Sequence, residues 1–397
     1  MDIKGTKFIF ATILITFVLI SYYLIFFNNV KSSDQSEIDF GCGNMKVLTM
    51  DNGKPKKHIY VVEGLVKGHP HLSCRMWDTY DRAAKLALQI FNAKDPSYQP
   101  VIHFINSQSE NADPLRPAKI ISEAAGTDAL AVVGFAWSTM AGIAAEQAKK
   151  EKVPYISPTA VIKSVFDGEY SVSLGTPLGE AVRGFRRLTS KLEEPDIVIA
   201  EATDQIQERE YSDGVRAHYP KAESIQYQDA FPVDQIIASL SKRQGTNHLL
   251  FVPGYTSVKD GIRKILSAFP ATTIVVGPQW SHDHRLLDFD GSLYCVSDYF
   301  NLIKNTMHDT VTDGWLKGGG EIIGGYLYSL FDALMFTLME LDDREINSRE
   351  VLIKKLKNSA WFHGTKGDLK IENGKVKKTI YILKYEKGLG FRLIEEV

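Results

Sequence analysis

Cysteine is scarce, with three in 397 residues, at positions 42, 74 and 295. That is too few for a scaffold built on disulfides. Positive charge is not in excess either. Lys and Arg number 46 against 48 Asp and Glu, for a formal net charge of −2, so the footprint of a nucleic-acid binder is missing. The short catalytic signatures are also absent: no G-x-x-x-x-G-K-[ST] phosphate loop, no H-E-x-x-H and no G-x-S-x-G. No internal sequence repeat is visible. What remains is an ordinary globular composition, 44% hydrophobic and 24% charged, at a length that holds two domains.

One long apolar run stands out. Phe8 to Phe27, FIFATILITFVLISYYLIFF, carries no charge. It is long enough to cross about 30 Å of hydrocarbon at ~1.5 Å per residue. Lys4 and Lys7 precede it, and Lys31 is followed by Asp34, Glu37 and Asp39. The positive-inside rule then favours a cytoplasmic N-terminus. The expectation is an uncleaved anchor. The alternative, a cleaved signal peptide, would have an unusually long apolar core and no A-x-A-like site after Phe27. Cys42, in DFGCGN, has no lipobox before it.

Beyond a polar tether the chain alternates. Strands are expected at His58–Val66, Val101–Ile105, Ala129–Val133, Val153–Ser157 and Tyr170–Leu174. Helices are expected at Trp77–Ala93, Asp113–Ala125 and Ala141–Lys150, with a loop over Lys67–Met76. After a break at Gly175-Thr176-Pro177 and a helix over Leu178–Leu192, the alternation resumes. Strands follow at Ile197–Ala200, Ser224–Gln228, His248–Val252 and Thr273–Val276. Two runs of alternating β and α mean two doubly wound lobes. Glu321–Leu341 is apolar enough to suggest a second membrane span, but Asp332 at its middle and Glu340 favour a buried helix. Asn373-Gly374 marks a hairpin turn.

The chemistry-bearing groups are few. Ser138 and Thr139 sit where a helix N-cap is expected, at the carboxyl edge of a βαβ unit, where ligands bind in open α/β sheets. His69 with His71, and His282 with His284, are spaced to share a metal, but a site needs a fuller ligand set, and exposed loop histidines are the plainer reading. Gly318-Gly319-Gly320 reads as a flexible loop rather than an anion cradle. Cys42 and Cys74 could pair outside the cytoplasm, closing a loop of about 30 residues for roughly 3–4 kcal/mol; two free thiols are the alternative. Trp77, Tyr211, Tyr255 and Trp280 each follow a strand or open a helix. Local packing explains any one of them, and together they could line an apolar pocket with polar tips.

The stretch ALAVVGFAWSTMAGIAAEQAKKEKVPYISPTA, Ala129 to Ala160, resembles the type I periplasmic binding proteins of the leucine/isoleucine/valine-binding kind, whose pattern is close to VxGxxxS…A…VPxISPxA. The VPGYTS segment around Tyr255, VVGPQW (Val275 to Trp280), YSDG at Tyr211 and LFDAL (Leu330 to Leu334) resemble further family elements, and the likeness covers about His58 to Gly388. It implies that Ser138 and Thr139 meet the ligand's carboxylate or equivalent acceptor. Ala160 and Val161 would flank it, and Tyr211, Tyr255 and Gln279 would line the second lobe. Trp77 is a further wall candidate. Two departures matter. Gln279 stands where an acidic partner for an amino-acid ammonium is expected, and Val161 where a hydroxyl is common. Asp283 and Glu201 are the candidates to replace them.

The resulting expectation is an α/β, two-lobed, periplasmic-binding-protein-like type I fold. Each lobe is a doubly wound, mainly parallel sheet, preceded by one N-terminal transmembrane helix. Residues 1–30 are the anchor and 31–56 the tether. Residues 57–174 plus 297–347 are the first lobe, and 175–296 plus 348–397 the second, with passages near Gly175, Val296 and Asn347. The expected function is non-enzymatic capture of an amino acid, amide or small acid outside the cytoplasmic membrane. The ligand would go to an ABC-type transporter permease or a sensor, with no cofactor, metal or nucleic-acid partner. The rivals are an envelope scaffold with a degenerate pocket and a metal-dependent hydrolase using His282 and His284.

Overall fold

The computed structural model describes residues 32–33, 46–63, 70–106, 114–192, 195–243, 248–254, 258–282, 293–300, 303, 305–319 and 324–397. The apolar run Phe8–Phe27 lies outside them, as do Cys42, His69, Tyr255, Asp283 and His284. Among the described residues no helix is long and apolar enough to cross a membrane.

The first half of the chain runs β1 (Ser32–Ser33), β2 (Lys46–Thr49), β3 (Lys56–Glu63), α1 (Pro70–Asn92), β4 (Gln99–Asn106), α2 (Arg116–Ala125), β5 (Ala129–Gly134), α3 (Ser138–Glu151), β6 (Tyr155–Ser157), α4 (Lys163–Phe166) and β7 (Ser171–Ser173). Its sheet has the order β1-β2-β4-β3-β5-β6-β7. Strands β3 to β7 are parallel, and β2 joins β4 antiparallel. Ile59, Tyr60, Val61 and Val62 are all buried, as expected of a parallel strand covered on both faces. Two corrections follow. Lys46–Thr49, assigned to the tether, is a strand of the first sheet, paired with β1 on one side and β4 on the other. The expected loop Lys67–Met76 is largely the start of α1, because Pro70 suits a first helical turn, where its missing N–H costs nothing.

The second run comprises α5 (Leu178–Thr189), β8 (Asp196–Ala202), α6 (Ile206–His218), β9 (Glu223–Tyr227), α7 (Val233–Ser241), β10 (His248–Val252), α8 (Lys259–Ala268), β11 (Thr273–Val276), a 3-10 turn (Pro278–His282) and β12 (Leu293–Ser297). The parallel part of its sheet is ordered β12-β11-β10-β8-β9, the same winding as β7-β6-β5-β3-β4 in the first. Two sequences without a visible repeat thus fold into two copies of one topology. Alternation along these strands divides the core. Leu250, Val252, Ile274 and Val276 join the large core. Leu249, Phe251 and Val275 face a separate cluster with Phe185 and Tyr211.

The chain then continues through α9 (Thr306–Lys317), α10 (Gly324–Leu341), α11 (Arg349–Leu356), β13 (Phe362–Gly364), β14 (Gly367–Glu372), β15 (Lys375–Lys378), β16 (Tyr381–Glu386) and β17 (Gly390–Glu396). Helix α10 is a core helix packed along α1. Its central Asp332 accepts the backbone N–H groups of Thr365 at 2.7 Å and Lys366 at 3.3 Å. Those bonds satisfy a carboxylate that lipid would leave bare. Strands β13 to β15 form a small sheet whose Asn373-Gly374 turn has φ of 51° and 75°, as a two-residue hairpin requires. Helix α11 packs on α10 and β5 of the first lobe. Ser348 caps it by accepting from Val351 N–H at 3.3 Å. The expected passage near Asn347 is therefore not where the chain leaves the first lobe. It changes sheets between Lys378 and Tyr381, where β16 joins β12 antiparallel.

Candidate functional site

Strand β5 ends at Gly134 with φ +152°, where a Cβ would stand 2.1 Å from the Val62 carbonyl oxygen; no side chain fits. The following turn is stitched to β6. Tyr155 donates to the Gly134 carbonyl at 3.0 Å, Ser157 to Phe135 at 3.3 Å and Thr159 to Ala136 at 2.6 Å. Helix α3 then begins at Ser138. Its N-cap is Trp137, in extended conformation and without a side-chain cap bond. Ser138 and Thr139 therefore occupy the first helical turn rather than the cap. First-turn N–H groups have no intrahelical acceptor.

Beside this helix start, Gly175 lies so close to the next turn that a Cβ would meet the Ala160 and Thr159 carbonyl oxygens at 2.6 and 2.7 Å. Across the gap stand Gln207, in the first turn of α6, and Pro278-Gln279, after β11. Gln279 Nε2 is held by the Pro253 carbonyl at 3.2 Å. The loops after β11 and β12 are tied by Ser281 and Ser297, whose hydroxyls meet at 2.8 Å.

These groups enclose a cleft between the carboxyl edges of the two sheets. The space between its walls is about 560 Å³, its open side included, and Ser138, Thr159, Val161, Thr176, Gln207 and Gln279 are among its lining. Trp137, Tyr326, Asp298 and Lys366 line it too. Asp298 follows β12, and its carboxylate accepts the Lys366 ammonium at 2.8 Å and, through the same oxygen, the Lys378 ammonium. Burial lowers the Lys378 pKa to about 8, with Asp298 opposing and Lys366 reinforcing the shift. Burial also raises Asp332 to about 6, against the pull of the Thr365 N–H and Lys366. The site thus offers amide and hydroxyl donors, helix-start N–H groups without an intrahelical acceptor and one buried charge cluster.

The expected site residues divide. Ser138, Val161 and Gln279 reach the cleft, and Ser138 Oγ already accepts Val161 N–H at 3.3 Å. Thr139 is exposed on the next helical position, outside the walls. Ala160 lies fully buried behind them, its carbonyl held by Ser173. Tyr211 belongs to the second lobe's core: its hydroxyl donates to the Ala181 carbonyl at 3.2 Å, and its ring meets Phe251 edge-on at 4.8 Å. Trp280 is fully buried and donates to the Gly254 carbonyl at 2.7 Å. Trp77 falls on α1, with its side chain outside the described part, as is that of Cys74. Glu201 is engaged by Arg216 at 2.9 Å and Gln226 at 3.0 Å, away from the cleft. Among the described residues no cluster of three or more His, Cys, Asp or Glu side chains is placed to hold a metal.

Sequence reasoning missed Trp137, Thr159, Thr176, Gln207, Asp298, Tyr326 and Lys366. Trp137 and Thr159 adjoin residues that were named. Asp298 carried a signal as well, a lone acid directly after a strand.

No protein-family model matches the chain, and no curated protein matches it. Solved structures do match. A leucine-binding protein LivK from Thermotoga maritima aligns with a TM-score of 0.68 at 14% identity, over 86% of this chain and 98% of that one. A solute-binding protein of an R. palustris ABC transporter, in complex with 4-hydroxybenzoate, gives 0.70 at 12% identity, over 86% and 97%. The branched-chain amino acid transporter substrate-binding protein LivJ from Streptococcus pneumoniae, in complex with isoleucine, gives 0.66 at 15% identity, over 86% and 99%. The fold is that of the type I periplasmic binding proteins.

Proposed function

We propose that this chain captures a small polar ligand in the interlobe cleft, by closure of the two lobes about their connecting passages, and hands it to an ABC-type transporter or a sensor. The observation that carries the reading is the composition of the cleft. Ser138 and Thr159 face it from the first lobe, Thr176 from the passage between the lobes, and Gln207 and Gln279 from the second, so a bound molecule bridges both. A ligand that touches both lobes favours the closed arrangement by its differential contacts. Solute-binding proteins with this fold have been crystallised with amino acids and aromatic acids, which fits capture rather than catalysis. The run Phe8–Phe27 would hold the protein at the cytoplasmic membrane, with the lobes on the outer side.

A thermal-shift screen of the purified full-length chain against amino acids, amides, small acids and sugars tests capture. A ligand at 100 times its dissociation constant should stabilise by about 2.7 kcal/mol. Silence across all four classes would refute it. Fractionation tests the anchor: the full-length chain should stay with membranes, and a mature N-terminus near Val30 or Ser32 would refute the anchor alone.

A further inference from the structure

We infer that the ligand is a small organic anion without an amino group, and that Lys366 is the side chain that selects for it. This deepens the capture reading and rests on it. Among the described residues, and apart from the Tyr326 phenol, the ionisable groups in the cleft lining are Asp298 and Lys366. Both are buried, at 2% and 5% exposure. Among the described residues Asp298 is the only carboxylate of those walls, and the rest are amides, hydroxyls, backbone and apolar groups.

That carboxylate is already spoken for. Its Oδ2 accepts the Lys366 ammonium at 2.8 Å and the Lys378 ammonium as well. Asp298, Lys366 and Lys378 together carry one net positive charge. A ligand ammonium approaching Asp298 would be a third cation on one carboxylate, repelled by the two in place. Asp332, another acid close to Lys366, is outside the lining and turned to the Thr365 and Lys366 backbone N–H groups. Gln279 and Gln207 offer an ammonium only neutral amide oxygens.

An anion meets the opposite situation. The Lys366 ammonium has three N–H donors, and Asp298 takes one of them. The others can serve a carboxylate in the cleft. Asp298 and Lys378 keep the lysine positioned and its charge only partly offset. The apolar wall groups Trp137, Val161 and Tyr326 suit an uncharged, apolar body on the same molecule.

The test is titration calorimetry on the full-length protein, with matched sets of compounds. Small monocarboxylates from acetate to benzoate are compared with their amides and with leucine and phenylalanine; sugars are the outgroup. At least one carboxylate should bind at least tenfold more tightly than its amide, with the amino acids weaker still. Lys366→Met should remove the preference of acid over amide, whereas Lys366→Arg should retain most of it. The amide serves as the control for a misfolded variant. An amino acid or sugar that binds more tightly than every carboxylate would overturn this inference and leave capture standing. So would a Lys366→Met protein that keeps the acid-over-amide ratio. Failure of every compound to bind would overturn both.

Discussion

The Lys378 ammonium donates to the Leu174 carbonyl at 2.7 Å, across 204 residues of sequence. It also pairs with Asp298, across 80. Leu174 begins the first passage between the lobes, just after β7, Asp298 begins the second, just after β12, and Lys378 ends the element before the third. One buried side chain thus bonds all three connections between the lobes. Removing it as Lys378→Ala should destabilise the fold by about 3–5 kcal/mol, the cost of breaking a buried pair, and toward the lower figure because Lys366 still faces Asp298. Urea unfolding measures this, and a loss below about 1 kcal/mol would mean that the contact does not hold the passages.

Ser138 and Thr139 are neighbours with different fates. Ser138→Ala removes a cleft hydroxyl, so affinity should fall by about 0.5–1.5 kcal/mol per neutral hydrogen bond lost, or about 1.5–3 for a charged ligand atom. Thr139→Ala changes an exposed helical position and should leave affinity within about 0.5 kcal/mol of the parent. Calorimetry with the ligand found by screening decides between them; equal losses would put Thr139 in the site.

Tyr211 packs in the second lobe's core rather than against ligand. Tyr211→Phe gives up one hydroxyl bond and should cost about 0.5–1.5 kcal/mol of stability. Tyr211→Ala empties an aromatic site at about 3–5 kcal/mol. Affinity for ligand in Tyr211→Phe should match the parent. A variant that keeps its melting temperature and loses binding would return Tyr211 to the cleft.

Stability should depend on pH through a buried acid outside the cleft. Glu208, at 2% exposure, is raised to about 7 chiefly by burial, although it accepts Ala202 N–H at 2.9 Å. A carboxyl with a raised folded-state pKa binds its proton more tightly when folded. Its contribution is whole below the unfolded value near 4.5 and is lost as pH rises through about 7. The loss is on the order of 3 kcal/mol. Asp332, raised to about 6, acts in the same direction. Urea midpoints at several pH values between 4.5 and 7.5 should fall less steeply in Glu208→Gln than in the parent. Parallel curves would show that Glu208 is not the group responsible.

Arg349 closes the end of another helix. Its guanidinium donates to the carbonyls of Ala124, Ala125, Thr127 and Ala129 at 2.8–3.2 Å, covering the last carbonyls of α2 and the start of β5. Lysine cannot reproduce that planar fork. Arg349→Lys should therefore lose at least about 1.5 kcal/mol, and a variant with the parent's melting temperature would show that solvent serves those carbonyls equally well.

The sequence made the strands legible where burial on both faces demands unbroken apolar runs. His248–Val252 and Thr273–Val276 were placed to the residue. It misled where one residue type serves two purposes. Two hydroxyls before a small-residue helix suggest a cap, yet Trp137 is the cap and the hydroxyls lie within the first turn. An aromatic residue that begins a motif suggests a pocket wall, but Tyr211 turns to Phe251. The cluster of Asp298, Lys366 and Lys378 was not legible at all. Its members lie on separate elements, and only the meeting of the three passages brings them together.

Strand β12 has β11 on one side and β16 on the other, and β16 arrives only after α9, α10, α11 and the small sheet. Until that late strand docks, Tyr294 to Ser297 present an unpaired edge, the kind of surface that templates association with other chains. Pairings between distant segments form slowly because the intervening loop must close first. The second lobe is therefore not a contiguous stretch that can be cut out and expressed. A fragment ending at Ser297 would expose that bare edge throughout and should aggregate, whereas in the whole chain the exposure lasts only until the final hairpin closes over it.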